Sequence, residues 1–472
     1  MSFRQELLLL LCYVFLADAS QVRILVNCDR NGFTCNTLNS KRLVTYQCPS
    51  STQDVIVHLW NFGEPSNTAW LVIKNCETVE IDMSCTSYRR SFESLTILNV
   101  TNLKFTRTTT TVKNPTKVVI KNVRNINSIP ENTFSVPHMV KYNGETSQHE
   151  LQEIEFDHVH VGTIEGHAFH SLRGFRNFTW RNVKVDRLHA NAIKITFNMT
   201  EKYAGEFRME KSAVEISEYL SFQMYVKKAS FLNNEFVEIM PGGINGTVET
   251  FNFVDNVVNT LQSGSISILS KTVNIIGNTF NYLKSGSLEK ISPGLLIDSH
   301  TSFGNLNFQY KFNNNNVIYV DAGSLNPDMV AYTKVATDFF FSYNTFLCTC
   351  ENMGWLMSSI GHGYSTSSLQ KFYETITNRE NLNICSGLSC RKTIADIQQS
   401  LENGSCNPKF TMEYFCQTTT VAPTTDPSKY RSEEVMWLNR SDMVHSGSNN
   451  SITNVFLLLF TSFYFIYCQY VF

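Results

Sequence analysis

Apolar residues through the middle of the chain fall in alternating pairs that recur at a nearly constant interval. Phe251-x-Phe253-x-x-Asn256-x-Val258-x-x-Leu261 is followed 22 residues later by Val273-x-Ile275-x-x-Asn278-x-Phe280-x-x-Leu283. An alternating pair predicts a short strand with one buried face. The Asn can bond the backbone groups that a turning chain leaves unpaired. The same frame places pairs at Leu71, Leu95, Val118, Ile154, Phe178, Phe207, Ala229, Phe251, Val273, Tyr310 and Phe339. Several steps are 22 to 24 residues, whereas Val118 to Ile154 and Val273 to Tyr310 are longer and predict loop insertions. Phe207-x-Met209 is the weakest strand of the set. The fullest stretch runs through Phe169, Leu172, Phe175, Phe178, Trp180, Val183, Val185, Leu188 and Ile193. Cys76, Val100, Val159 and Val183 stand where Asn is expected, so those turns must satisfy their backbone in another way. Phe occurs 34 times, often at inward positions, and is read as core.

A recurrence of this length and internal order resembles the extracellular leucine-rich repeat proteins. Asn344-x-Phe346-Leu347-Cys348-Thr349-Cys350 followed by Trp355-Leu356 is similar to the cysteine-rich cap that ends such arrays. The resemblance covers roughly residues 55 to 416 and implies an α/β-type solenoid. The expected form is a horseshoe with a parallel concave sheet, a mostly irregular convex side and disulfide-closed ends. In the family the first cap cysteine pairs with the third and the second with the fourth. That makes Cys348, Cys350, Cys385 and Cys406 the candidates for those pairs, with Cys390 and Cys416 left over. Spacing alone leaves the connectivity of six cysteines open. Cys28, Cys35 and Cys48, with Cys85, are expected to staple an N-terminal cap, and Cys76 to be the unpaired, buried thiol. The implied domains are a cap over 21–70, repeats over 71–346 and a C-terminal cap over 347–416.

Both ends carry targeting patterns. Residues 1–20 have Arg4, an apolar run from Leu7 to Leu16 and small residues Ala17, Ala19 and Ser20, the pattern of a secretory signal peptide. Residues 417–450 are rich in Thr, Pro and Ser without apolar periodicity and predict an extended stalk. Residues 451–472 are uncharged and apolar, behind the small polar run from Ser446 to Ser451. That order is expected of a glycosylphosphatidylinositol signal. A single membrane helix is the alternative, although such a helix is usually followed by Lys or Arg. Of 13 cysteines, Cys12 and Cys468 fall in the terminal segments, which leaves an odd number outside the cell. Asn99, Asn177, Asn198, Asn245, Asn403 and Asn439 lie in sequons of the kind glycosylated in the secretory pathway, as does Asn449 near the processing region. A formal charge of −2 with no dense basic run gives no reason to expect nucleic acid.

Motifs for catalysis are absent: there is no phosphate loop, no Gly-x-Ser-x-Gly and no His-Glu-x-x-His. No cofactor is expected. Cys348-x-Cys350 is closer spaced than zinc ligands usually are, and secreted thiols oxidise first, so no metal is expected either. Histidines cluster between His138 and His189, yet their places spread around the repeat. Glu153, Glu155 and Asp157 alternate on one strand face. They are the best enzymatic lead, for a secreted carbohydrate-active β-helix enzyme. The leading expectation is a non-enzymatic cell-surface glycoprotein for adhesion or recognition. In the resembling family, ligands lie against the concave sheet. Here those positions are Glu153, Glu155, Asp157, Thr179, Arg181, Ser230, Leu232, Asn252, Val254, Asn274, Ile276, Lys311 and Phe340. Leu232, Val254, Ile276 and Phe340 would form an exposed apolar strip, which points to an extracellular protein partner, homophilic pairing included. A one-residue error in register would swap the faces.

Overall fold

A computed structural model describes residues 21–23, 32–38, 41–49, 54–58, 68–83, 93–106, 115–134, 151–172, 175–196, 205–294, 307–332, 334–349, 352–356, 367–388 and 390–402. All lie in the first of two units, Met1–Gln417 and Thr418–Phe472. The signal, the stalk and the apolar C-terminal run lie outside the described residues. So do Cys28, Cys85, Cys350, Cys406, Cys416, Asn198, Asn403 and Asn439.

The fold is a solenoid-like stack of mostly parallel strands with few helices. On the first flank every expected strand start pairs in register with the next. Leu71 lies beside Leu95, Leu95 beside Val118, Val118 beside Ile154, Ile154 beside Phe178 and Phe178 beside Phe207. The column continues through Ala229, Phe251, Val273 and Tyr310 to Phe339. Inward rings from the first flank and from the strand Thr279–Leu283 meet in the core, where Phe253, Phe280, Phe312 and Phe341 form a stacked file with ring centroids 6.3, 6.1 and 4.8 Å apart.

After each first-flank strand the chain turns on one residue in the left-handed region, among them Asn75, Asn99, Asn122, His158, Asn182, Asn233, Asp255 and Gly277. Asn tolerates this conformation better than other side chains because its short amide can bond locally. The residue that follows points inward and forms a column of three chemistries. At the N-terminal end it is a disulfide, Cys48–Cys76, then Val100, Val123, Val159 and Val183. From Ser212 it becomes a buried ladder of Asn234, Asn256, Asn278, Asn315, Asn344 and Asn383. Cys76 is therefore bonded rather than free. It replaces the turn amide, and Cys48 stands above it in the hairpin strand Lys41–Gln47 and its following residue, where Cys48 N–H donates to Lys74 O.

Strands also occupy the side expected to be mostly irregular. A second parallel ladder runs from Asp54–His58 through Val257–Leu261 and Thr279–Leu283 to Ile384–Ser386. A third joins Phe169–Leu172, Ile193–Thr196, Phe222–Leu232, Ile244–Val254, Ile266–Ile276 and Ser292–Pro293. Small turn sequences such as Gly242-Gly243 and Ser263-Gly264-Ser265 let the chain bend twice more per rung, which straight β-branched segments then connect.

Both ends of the core are covered. The antiparallel pair Phe33–Leu38 and Lys41–Gln47 closes one end. At the other, the helix Ser367–Thr377 sets Phe372 against Phe339 and Phe341, with centroids 6.0 and 5.8 Å apart. Cys348–Cys385 joins the last two rungs of the second ladder. This is the first-to-third pairing that the resemblance implied. Cys35 and Cys390 are also disulfide-bonded.

Candidate binding surface

Outward side chains on the first flank stack in columns, because parallel strands in register repeat their side-chain positions every rung. Glu153, Glu155 and Asp157 do point outward together, but cations on adjacent rungs meet all three. Lys117 Nζ lies 2.8 Å from Glu153, Lys121 Nζ 2.7 Å from Glu155, and Arg181 3.8 Å from Asp157. Asp157 is also 2.7 Å from His158 Nδ1 and accepts a hydrogen bond from Asn182. Glu206 with Lys228 and Glu210 with Arg208 continue this exchange. The acidic stripe is thus half of a charge-paired surface. Sequence reasoning missed Lys117 and Lys121 because an insertion separates their strand from Glu153; equal positions in the repeat frame were the available signal.

The next rungs change character. Asn274 Nδ2 donates to Asn252 Oδ1 (2.9 Å), and Asn252 Nδ2 donates to Ser230 Oγ (3.2 Å). Ser230 is 1 % exposed, so it cannot touch a partner as expected; its neighbours close over a short side chain. Two residues further along each strand, Leu232, Val254 and Ile276 stand in register and form a half-buried aliphatic column. Phe340 is not in that column. It pairs with Lys311, in file with Asn252 and Asn274, is 43 % exposed, and holds Lys311 Nζ 5.4 Å from its ring centroid. Thr179 is half-buried in file with Glu155, and the Asn177 side chain is exposed at the start of the same strand.

The histidines stay dispersed. His160 meets Asp186 at 3.1 Å and His189 meets Glu218 at 3.3 Å on the second flank, while the Nδ1 atoms of His167 and His170 are 3.2 Å apart elsewhere. Lys184 lies among the second-flank carboxylates, and its hydrogen bond to Glu215 holds its ammonium above the usual lysine range. Among the described residues no three His, Cys, Asp or Glu side chains converge where a metal ion would fit. Also among the described residues, no helix is long and apolar enough to cross a membrane. The second flank exposes Val237, Val257 and a stacked pair, Tyr282 and Tyr319, with centroids 4.6 Å apart. These went unread because no strand was expected there. Comparison with protein-family models, curated proteins and solved structures finds no match to this chain.

Proposed function

We propose that this chain is a cell-surface recognition or adhesion glycoprotein that binds another extracellular protein through the outward first flank, at its C-terminal half. One observation carries the reading: Leu232, Val254 and Ile276 stand outward in a single column across three adjacent rungs, beside an amide file. Covering partly exposed aliphatic side chains gains about 1 kcal/mol each at roughly 25 cal/mol per Å². Amides already bonded along the axis keep the surface flat and presented without ordering cost. The fold reading that accompanies this is a degenerate relative of the leucine-rich repeat arrays, supported by the 22-residue step, the Asn ladder and the cysteine-closed end. The added strand ladders on the other flanks depart from that pattern. Anchoring by a lipid at the C-terminus rests on the sequence of 451–472, and phospholipase release from intact cells tests it.

The test is a binding screen of the secreted chain against cells and extracellular proteins, itself included. Ile276→Asp is expected to weaken the partner found by roughly tenfold or more, since a charge would be buried unpaired. Unchanged affinity in that variant removes the proposed surface. The rival carbohydrate-active reading needs carboxylates available for proton transfer, whereas Glu153, Glu155 and Asp157 are engaged by cations. Glu155→Ala with Asp157→Ala abolishing activity on an extracellular polysaccharide would favour it.

A further inference from the structure

The third flank holds a groove of about 380 Å³ whose lining includes Tyr225, Asn245, Thr247, Leu269, Lys290 and Asp328. We infer that this groove is the seat of the chain's own N-linked glycan, attached at Asn245, whose first sugars lie against Tyr225 and Leu269. The inference rests on the secretory reading above.

The geometry starts from Gly246. A Cβ there would stand 1.8 Å from Met224 O, and its φ is +149°, so the strand approaches its neighbour at a distance only glycine permits. Ile244, Gly246 and Val248 face inward, which leaves Asn245 and Thr247 as adjacent outward residues on one face. Those two are the acceptor and hydroxyl of the sequon Asn245-Gly246-Thr247. Register places Asn245 between Gln223 and Ser267, and Thr247 between Tyr225 and Leu269. The Asn245 carboxamide enters no hydrogen bond among the described residues. Asn99, by contrast, donates Nδ2 to Asn75 Oδ1 (3.0 Å) and accepts from Asn122 Nδ2 (2.9 Å). Asn177 is exposed and lies on the first flank.

The groove suits a saccharide. Its walls alternate an aromatic ring and an aliphatic side chain, Leu269 being 44 % exposed, with hydroxyls and charged groups. Sugar rings present just such apolar faces and polar edges, and the volume falls in the range of about 300–1,000 Å³ typical of small-ligand sites. In the attachment step a lipid-pyrophosphate-linked oligosaccharide donor supplies the sugar. The Asn245 Nδ2–C1 bond forms as the C1–O bond to pyrophosphate breaks. The lipid pyrophosphate leaves with the bonding pair, and Nδ2 loses one proton.

The experiment uses the full chain secreted from a glycosylating eukaryotic cell, digested natively with an endoglycosidase and followed by glycopeptide mass spectrometry. The Asn245 glycan is expected to be released roughly tenfold more slowly than the Asn177 glycan, the ratio given by about 1.4 kcal/mol of ordering. Denaturation abolishes the difference, and Leu269→Ser narrows it while leaving Asn177 release unchanged. Occupied Asn177 with unoccupied Asn245, or equal release at both, overturns the groove and leaves the secretory reading intact. Absence of glycan at every sequon overturns both.

Discussion

Asn256 shows how one side chain serves three rungs. Its backbone N–H and Nδ2 donate to Asn278 Oδ1 at 2.8 and 3.0 Å, Nδ2 also donates to Phe231 O at 3.0 Å, and its Oδ1 accepts from Asn234. Truncation strands several buried donors and a carbonyl, each costing about 1–3 kcal/mol when unmade. Asn256→Ala is therefore expected to lose about 3 kcal/mol or more in chemical denaturation. The exposed Asn259, whose side chain accepts one hydrogen bond, from Asn281, among the described residues, should lose under about 0.5 kcal/mol on the same change. Gly246→Ala should destabilise strongly, because the clashing atom is backbone. Tyr310 and Tyr332 have buried hydroxyls, and burial holds both phenols above the usual tyrosine range. Their unfolded values lie at about 10, so this contribution is complete below that pH and is lost as pH rises towards the folded values. Alkaline titration followed by absorbance should show phenolate from these two appearing together with unfolding. Phenolate appearing at ordinary pH in folded protein counts against their burial.

At the scale of elements, the repeat frame was legible because inward positions alternate and the turn residue recurs. Even Phe207-x-Met209, weak by composition, stands in file between Phe178 and Ala229. Cys76 was misread for a physical reason: a pattern shows that a residue is inward at a turn, not that another cysteine stacks above it from a hairpin. Reducing Cys48–Cys76, or Cys48→Ser, is expected to cost about 3–4 kcal/mol for a loop of this length. Peptide mapping should recover the crosslink with its separation of 28 residues. The N-terminal turns, lacking the inner amide, use an outer one, Asn75 to Asn99 to Asn122. The second ladder went unread because its segments, such as Glu235–Ile239, place two outward residues between inward ones, which blurs strict alternation.

Across the described unit, surface chemistry is sorted along the array. Ion pairs link the rungs around Glu153 to Glu210, and amide and aliphatic files take over from Ser230 to Ile276. Raising salt should weaken the first region and leave docking on the second largely unchanged, a contrast measurable by binding at low and high ionic strength. By itself the sequence determined the step of the stack, the inward set and the amide at the turn, since each follows from local periodicity and backbone demand. The tertiary structure decided which outward residues become neighbours: Lys117 with Glu153, Leu232 with Val254 and Ile276, Cys48 with Cys76, and Asn245 with a groove. Those contacts depend on hydrogen-bond register between rungs, a quantity that no local pattern encodes.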